Sequence, residues 1–324
     1  MLDDRPFHEV HPELFHYTSA GGLEGILRSQ SLWGTHWQNL NDTGELRHFS
    51  EKLPSLLKAA RIALAEELAR NRDGFKEWAE SQGGIEYLVD AEVQGLVRSF
   101  QDSVVSPDPT QQIFEFYVTS FCTPEGSFEG VRAHGLISMW RCYGNGGYAL
   151  VFDTAELERL LQLEAEAWPS RIVLGDVGYS CDPPHELDSR IAALAELRKK
   201  FSESSFDSPE AFEVMLEPLL DCFIHYKHWA FAEEREVRLT TILNGEKMRA
   251  AHAEDGTTWR ERERHIQCGV PRIHLFEGLG HRLPIKRVIV GPGAHQPTRA
   301  AELSALLEEL KLDIPVALSN IPLR

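Results

Sequence analysis

Residues 224–243 read IHYKHWAFAEEREVRLTTIL, and this stretch decides the fold. Its first half continues an apolar helical pattern that begins near Phe212. From Glu236 onward, charged or polar residues alternate with apolar and β-branched ones, which is the period of a β-strand. The stretch therefore predicts a helix that leads directly into a strand.

A strand that begins near Glu234 places Glu234, Glu236 and Arg238 on one face, because side chains repeat every second residue. Val237 and Leu239 then point to the core. Two neighbouring carboxylates repel, so either one has a raised proton affinity or a cation such as Arg238 keeps both ionised. The alternative is a solvated edge strand whose surface ion pairs are worth under about 1 kcal/mol.

The composition is that of a globular protein. The chain has 324 residues, of which 42% are hydrophobic and 9% aromatic, enough for one elaborated domain or two smaller ones. No apolar run approaches the ~18 residues that cross a bilayer. The first residues are acidic and lack the apolar segment of a secretory signal. We therefore expect a cytoplasmic protein that makes no membrane contact.

The charge and the cysteines exclude several classes of site. A formal net charge of −17 opposes binding to nucleic acid, so a protein or small-molecule partner is favoured. The five cysteines are widely spaced, which predicts buried free thiols and neither a disulfide framework nor a zinc site. His225 and His228 lie three apart on the predicted helix, but no third or fourth metal ligand accompanies them. The sequence thus predicts no metal.

The chain in order predicts one α+β domain over residues 1–324, with helical subregions or insertions at 46–110 and 186–222. No internal repeat or long linker interrupts it. Further predicted elements include strands at 14–19, 31–35, 113–122, 148–153, 172–179, 272–276 and 285–290, and helices at 20–28, 155–164 and 297–311.

Trp140 and Tyr143 lie three residues apart on a short predicted helix that covers 136–144, so they share one face. Such a pair either stacks on a planar ligand ring or belongs to the core.

Four motifs in this order resemble a widespread bacterial family known only as domain of unknown function 2971. The resemblance extends from about Leu14 to Pro292. The motifs are an HYT-type start at His16, Tyr17 and Thr18, an Asn41-Asp42 turn, a central W-x-x-Y at Trp140 and Tyr143, and a late E-x-E-x-R at Glu234, Glu236 and Arg238.

The same pattern more distantly resembles the ADP-ribosyltransferase superfamily. That resemblance implies a split antiparallel sheet with helical insertions, which binds NAD as a substrate. By this analogy His16 holds the NAD ribose, Tyr143 or Tyr17 stacks on nicotinamide, and Glu236 is catalytic beside Glu234. The other residues expected at the NAD site are Thr18 and Trp140, together with Arg141, Lys227 and Arg238 as candidate partners of the pyrophosphate.

The chemistry explains why a carboxylate is needed. Cleavage of the bond between nicotinamide and ribose builds positive charge on the sugar, which a nearby carboxylate such as Glu236 stabilises. His16 is expected to donate to a ribose oxygen, and the reaction requires no metal.

The leading hypothesis is an NAD-dependent ADP-ribosyltransferase or NAD glycohydrolase. A role as a toxin or phage-defence effector rests on resemblance alone. Two alternatives stay open: a non-catalytic nucleotide- or partner-binding protein on the same scaffold, and a glycosidic-bond hydrolase that uses Glu234 and Glu236. The acceptor and any regulatory protein partner are left open.

Overall fold

The computed structural model describes residues 5–40, 43–124, 129–144, 147–180, 220, 223–254, 256 and 260–322. The α-helices of this part are α1 (Phe7–Val10), α2 (Ala20–Ser29), α3 (Thr43–Asn71), α4 (Phe75–Ser81), α5 (Ile85–Phe100), α6 (Glu129–His134), α7 (Ile137–Met139), α8 (Thr154–Ala167), α9 (Glu246–Glu254) and α10 (Gln296–Leu310). The strands are β1 (Glu13–Thr18), β2 (Leu32–His36), β3 (Phe114–Cys122), β4 (Tyr148–Asp153), β5 (Arg171–Asp176), β6 (Gly178–Ser180), β7 (Tyr226–His228), β8 (Glu236–Asn244), β9 (His265–Gln267), β10 (Val270–Leu275), β11 (Ile285–Val290) and β12 (Val316–Leu318).

Ten strands form one sheet in the order β12-β11-β4-β1-β3-β2-β10-β9, with β8 paired to β3 and to β5. Most neighbours are antiparallel, but β11 and β12 are parallel, as are β6 and β7 in a separate two-stranded sheet. The prediction of an α+β fold is confirmed. The predicted split antiparallel sheet is instead a mixed one, because α10 carries the chain back so that β12 runs parallel to β11.

One edge of β3 is shared by two strands, while β8 pairs along the whole of the other edge. β1 contacts β3 at Phe15 and Cys122, and β2 joins β3 at Val118 and Tyr117. Between these contacts, β3 residues 119–121 have no register partner in β1 or β2, both of which the structure describes in full. The sheet is therefore split at this point.

The two faces of β8 meet different surroundings. Val237 and Leu239 point, as predicted, into an apolar core covered by α2, α8 and α10. The opposite face carries two separate apolar clusters, one built on α3 and α5 and the other around Trp140. Glu236 and Arg238 occupy the interval between these clusters, next to Cys122 and Ser120 of β3. Because both faces are covered and both edges are paired, the alternative of a solvated edge strand is wrong.

The predicted helix over residues 224–233 is also wrong in most of its length. Tyr226–His228 is a strand, Trp229–Glu234 is a 3-10 helix, and Arg235 adopts a left-handed φ of 47° before β8 begins at Glu236. Arg238 explains the departure, because its guanidinium donates to the backbone carbonyls of Ile224 and Tyr226. Those contacts hold the chain outside a helix despite its helical pattern.

Other predictions fall partly outside the described residues, including the Asn41-Asp42 turn and nearly all of the 186–222 subregion. Residues 46–110 include most of α3 and all of α4 and α5. Cys122 is buried, but Cys142 and Cys268 are exposed, so the prediction of uniformly buried thiols is wrong. Among the residues described, none of the helices has the length and apolar character needed to span a bilayer.

A buried ion pair on α8 offers a test of the fold. Glu164 is fully buried, is paired with Arg262, and accepts the backbone N–H of Phe276. We expect Glu164→Gln to lower the free energy of unfolding by about 3–5 kcal/mol, because Arg262 would remain buried without its counter-charge. Urea denaturation followed by circular dichroism measures the change.

Glu156→Gln is the matched control, because Glu156 lies on the same helix and pairs with Arg159 at the surface. Its expected effect is under about 1 kcal/mol. Equal losses in the two variants would contradict the structural importance of the buried pair.

Candidate functional site

A cavity of about 200 Å³ lies where β1 and β2 separate from β3. It is lined by Phe15, His16, Tyr17, Trp33, Thr35, Leu40, Val118, Thr119, Ser120, Phe121, Met139, Tyr143, Lys227, Glu234, Glu236 and Arg238. Because the split leaves part of the β3 edge without a neighbouring strand, side chains of β1, β3 and β8 converge here. The cavity thus occupies the polar interval between the two apolar clusters.

The Glu236 carboxylate is the most constrained group in the cavity, with a side-chain exposure of 6%. One oxygen accepts from Ser120 Oγ at 2.7 Å and from Arg238 Nε at 2.9 Å. The other accepts from Lys227 Nζ at 2.9 Å and from Arg238 Nη2 at 3.2 Å. The backbone N–H of Glu236 also donates to Tyr179 Oη at 2.7 Å. Four side-chain hydrogen bonds therefore fix the position and orientation of this carboxylate.

The neighbouring cations decide the charge of Glu236. Burial by itself would raise its pKa, but Arg238 and Lys227 outweigh burial and lower the pKa to about 2. The carboxylate is therefore ionised throughout the physiological pH range. It is available as a fixed negative charge and not as a proton donor.

Lys227 connects the two candidate carboxylates. Its Nζ lies 2.6 Å from Glu234 Oε2 and 2.9 Å from Glu236 Oε2, and it sits 4.9 Å from the centre of the Phe231 ring. Lys227 and Arg238 were predicted to contact pyrophosphate, but here both are engaged with carboxylates. The four charged side chains balance one another, which favours a ligand region rich in hydroxyl and amide groups over a phosphate.

His16 also lines the cavity and is half-buried. Its Nδ1 is 2.9 Å from the backbone carbonyl oxygen of Ser120, which can only accept, so Nδ1 carries the proton. Burial lowers the pKa of His16, which favours the neutral ring. Nε2 is then an acceptor, so the expectation that His16 donates to a ribose oxygen is replaced by one in which it accepts from a ribose hydroxyl.

The two candidate tyrosines differ in burial, because Tyr17 is buried and Tyr143 is half-buried. Tyr17 Oη accepts the backbone N–H of Leu136 at 2.8 Å, and its ring packs edge-on against Trp140 at 4.8 Å. Tyr143 is half-buried and its hydroxyl lies 3.5 Å from Glu234 Oε1. Both line the cavity, but Tyr17 is held in the core cluster, so Tyr143 is the better candidate for stacking on a ligand ring.

Three predicted site residues do not line the cavity. Trp140 is 1% exposed and belongs to the core, where its indole N–H donates to the carbonyl of His134. Arg141 is exposed, and Thr18 is half-buried beside the start of α2. Trp140 and Tyr143 both pack in the cluster around Trp140, so the alternative in which the pair belongs to the core holds for Trp140, while Tyr143 also lines the cavity.

Three residues that shape the site had no role assigned to them from the sequence. Ser120 bonds to Glu236 through its side chain and to His16 through its carbonyl, Trp33 contributes an aromatic wall, and Tyr179 orients the Glu236 backbone. The available signal for Ser120 was weak, since β3 also contains Glu115, Tyr117 and Thr119.

Residues 139–239 match the model of a family described as protein of unknown function (DUF2971). The match includes Tyr143, Lys227, Glu234, Glu236 and Arg238, and ends within β8. No curated protein and no solved structure matches the chain. The resemblance to the uncharacterised family is thus supported over the segment that carries most of the carboxylate network. None of these comparisons supports the likeness to ADP-ribosyltransferases.

The ion pairs and hydrogen bonds around Glu236 predict that the free energy of unfolding depends on pH. Replacing Arg238 by Met removes the main cation beside Glu236, and we expect a loss of about 3–5 kcal/mol in the free energy of unfolding at pH 7. In the wild type, the stability from the depressed pKa is present above the unfolded-state pKa of about 4.3 and is lost as pH falls towards 2. The difference in the free energy of unfolding between the wild type and Arg238→Met should therefore become smaller as the pH falls.

Urea titrations at pH 7 and pH 3.5 measure the free energy of unfolding of the wild type and of Arg238→Met at each pH. Arg141→Met serves as the control, because Arg141 is an exposed arginine outside the cavity. If Arg238→Met loses the same free energy of unfolding at both pH values, Arg238 does not keep Glu236 ionised.

Proposed function

We propose that the protein consumes NAD in the manner of an ADP-ribosyltransferase, breaking the nicotinamide–ribose bond and passing ADP-ribose to an acceptor or to water. The observation that carries this proposal is the pairing of a buried, ionised carboxylate, Glu236, with a neutral imidazole, His16, on the walls of one cavity. The resemblance of the motifs to that superfamily gives the reaction class.

Glu236 supplies the electrostatic part of the reaction. As nicotinamide leaves, the ribose ring gains positive charge, and a fixed carboxylate beside it stabilises that charge without reorganising. Arg238, Lys227 and Ser120 hold the carboxylate in place before the substrate arrives. Charge interactions are also stronger in this partly buried site than in water.

His16 and Tyr143 supply the positioning. His16 Nε2 accepts from a ribose hydroxyl while Nδ1 stays bonded to Ser120, and Tyr143 packs against the nicotinamide ring. The cavity is smaller than the roughly 300–1,000 Å³ of most drug-sized ligand sites. It therefore takes the nicotinamide riboside end of NAD, with the adenosine half outside it. The acceptor is a protein or small molecule, and a toxin or defence role rests on resemblance.

A specific observation favours a second candidate, a non-catalytic nucleotide- or partner-binding protein. A carboxylate has about four acceptor positions, and side chains of the protein itself already make four hydrogen bonds to Glu236. A glycosidic-bond hydrolase is the third candidate. Since Glu236 is ionised at neutral pH, it would serve there as nucleophile or base, with Glu234 as the second carboxylate.

NAD turnover separates these candidates. The purified protein is incubated with NAD, with and without cell lysate, and nicotinamide release and ADP-ribose transfer are measured. We expect Glu236→Gln to lower the rate by about 10² to 10³, the effect of removing one preorganised electrostatic group. His16→Ala should chiefly raise KM, because His16 positions the ribose.

Glu263→Gln is the matched control, since Glu263 is an exposed glutamate outside the cavity. The control variant should retain wild-type turnover. Saturable NAD binding without any nicotinamide release would favour the binding protein. Equal rates in Glu236→Gln and Glu263→Gln would remove Glu236 from the mechanism.

A further inference from the structure

His265, His274 and Glu277 form a cluster at the end of the sheet, away from the carboxylate network. One ligand atom from each of the three side chains lies within 4.8 Å of the other two. We propose that this cluster binds a divalent transition-metal ion, with zinc as the representative ion. The inference goes beyond the proposed NAD chemistry and uses none of its charged residues.

A tight hairpin brings the two histidines together. Cys268 and Gly269 both have positive φ, 53° and 78°, and connect β9 to β10 as a two-residue turn of the type I′ kind. In this register His265 lies opposite Arg272, and His274 follows Arg272 by two residues. The two imidazoles are therefore diagonal neighbours on one face of the hairpin.

A second backbone feature places the carboxylate. Phe276 adopts a φ of 70°, an uncommon conformation for a large side chain, and the chain reverses directly after β10. Glu277 consequently returns towards the strand that it follows, and its Oε2 lies 3.5 Å from His274 Nδ1. The hairpin and this reversal together fix all three side chains on one side of β10.

The donor set selects the class of ion. Two imidazole nitrogens and one carboxylate oxygen form a set that zinc uses in proteins, whereas calcium and magnesium prefer oxygen ligands. The histidines are half-buried and Glu277 is exposed, so water supplies the fourth ligand. Such a site stabilises the hairpin and leaves the metal accessible to solvent.

Ring stacking links this cluster to the cavity. His265 and His274 stack with centroids 4.5 Å apart, and His274 also stacks on Trp33 at 5.7 Å. Trp33 lines the cavity. Ligation requires the imidazole edges to turn towards the ion, which alters the contact between His274 and Trp33. Metal binding should therefore change the surroundings of the Trp33 indole.

Sequence reasoning considered His225 and His228 and missed this cluster. Its pattern is H-x8-H-x2-E, and that spacing becomes meaningful only when the hairpin turn at 268–269 is recognised. The cluster is thus a candidate set of metal ligands other than the pair at His225 and His228, and the prediction of no metal stays a prediction.

Isothermal titration of the chelator-treated full-length protein with ZnCl2 tests the proposal. The wild type should bind one more equivalent of Zn²⁺ than His274→Asn or Glu277→Gln. If these variants still bind that ion, the wild type should bind it at least 10- to 100-fold more tightly, because the loss of an outer-shell partner alone weakens metal binding by that factor. His281→Asn, which changes an exposed histidine outside the cluster, should titrate like the wild type.

Tryptophan fluorescence gives an independent readout. Zn²⁺ should change the emission of the wild type, and this change should be absent from Trp33→Phe and His274→Asn. Titration curves for His265→Asn, His274→Asn and Glu277→Gln that coincide with the wild type would overturn the proposal, as would a wild type with no saturable Zn²⁺ binding. Neither result depends on NAD turnover, so the two proposals can fail separately.

Discussion

The ion pairs and hydrogen bonds around the Glu236 carboxylate are the constraint on which the rest of the structure depends. A buried carboxylate costs several kcal/mol unless it is paired and hydrogen-bonded. Satisfying this one requires Ser120 from β3, Arg238 from β8 and Lys227 from β7 to meet at one point. Arg238 also binds the carbonyls of Ile224 and Tyr226, so the same network determines how the chain enters β8. The proposed function and the fold therefore depend on the same set of contacts.

The split in the sheet leaves a cavity beside these ion pairs and hydrogen bonds. Where β1 and β2 leave the edge of β3, the carbonyl of Ser120 becomes free to accept from His16, which brings an imidazole towards the carboxylate. Apolar clusters flank the interval on both sides and keep its charges partly shielded from water. The buried polar groups of this cavity satisfy one another, which offsets the cost of burying them.

The sequence predicted the parts of this arrangement that depend on local pattern. Alternation over 236–243 located β8 and assigned Val237 and Leu239 to the core, and the order of motifs associated His16 with Glu236. It failed where distant contacts override the local pattern. The helical pattern before Glu236 is overridden by contacts from Arg238, Trp140 packs in the core and does not face a ligand, and His265, His274 and Glu277 come together only once a hairpin aligns the two histidines. Each failure involves side chains brought together from separate elements.

The most direct test is a crystal structure of the protein with ADP-ribose or a non-hydrolysable NAD analogue bound. The ribose should lie in the cavity at the split of the sheet, with one hydroxyl within about 3.2 Å of His16 Nε2. The same sugar should face the Glu236 carboxylate, with Tyr143 beside the site of the nicotinamide. A ligand bound away from this cavity, or a Glu236 carboxylate separated from the ligand by an intervening side chain, would contradict the shared role of His16 and Glu236.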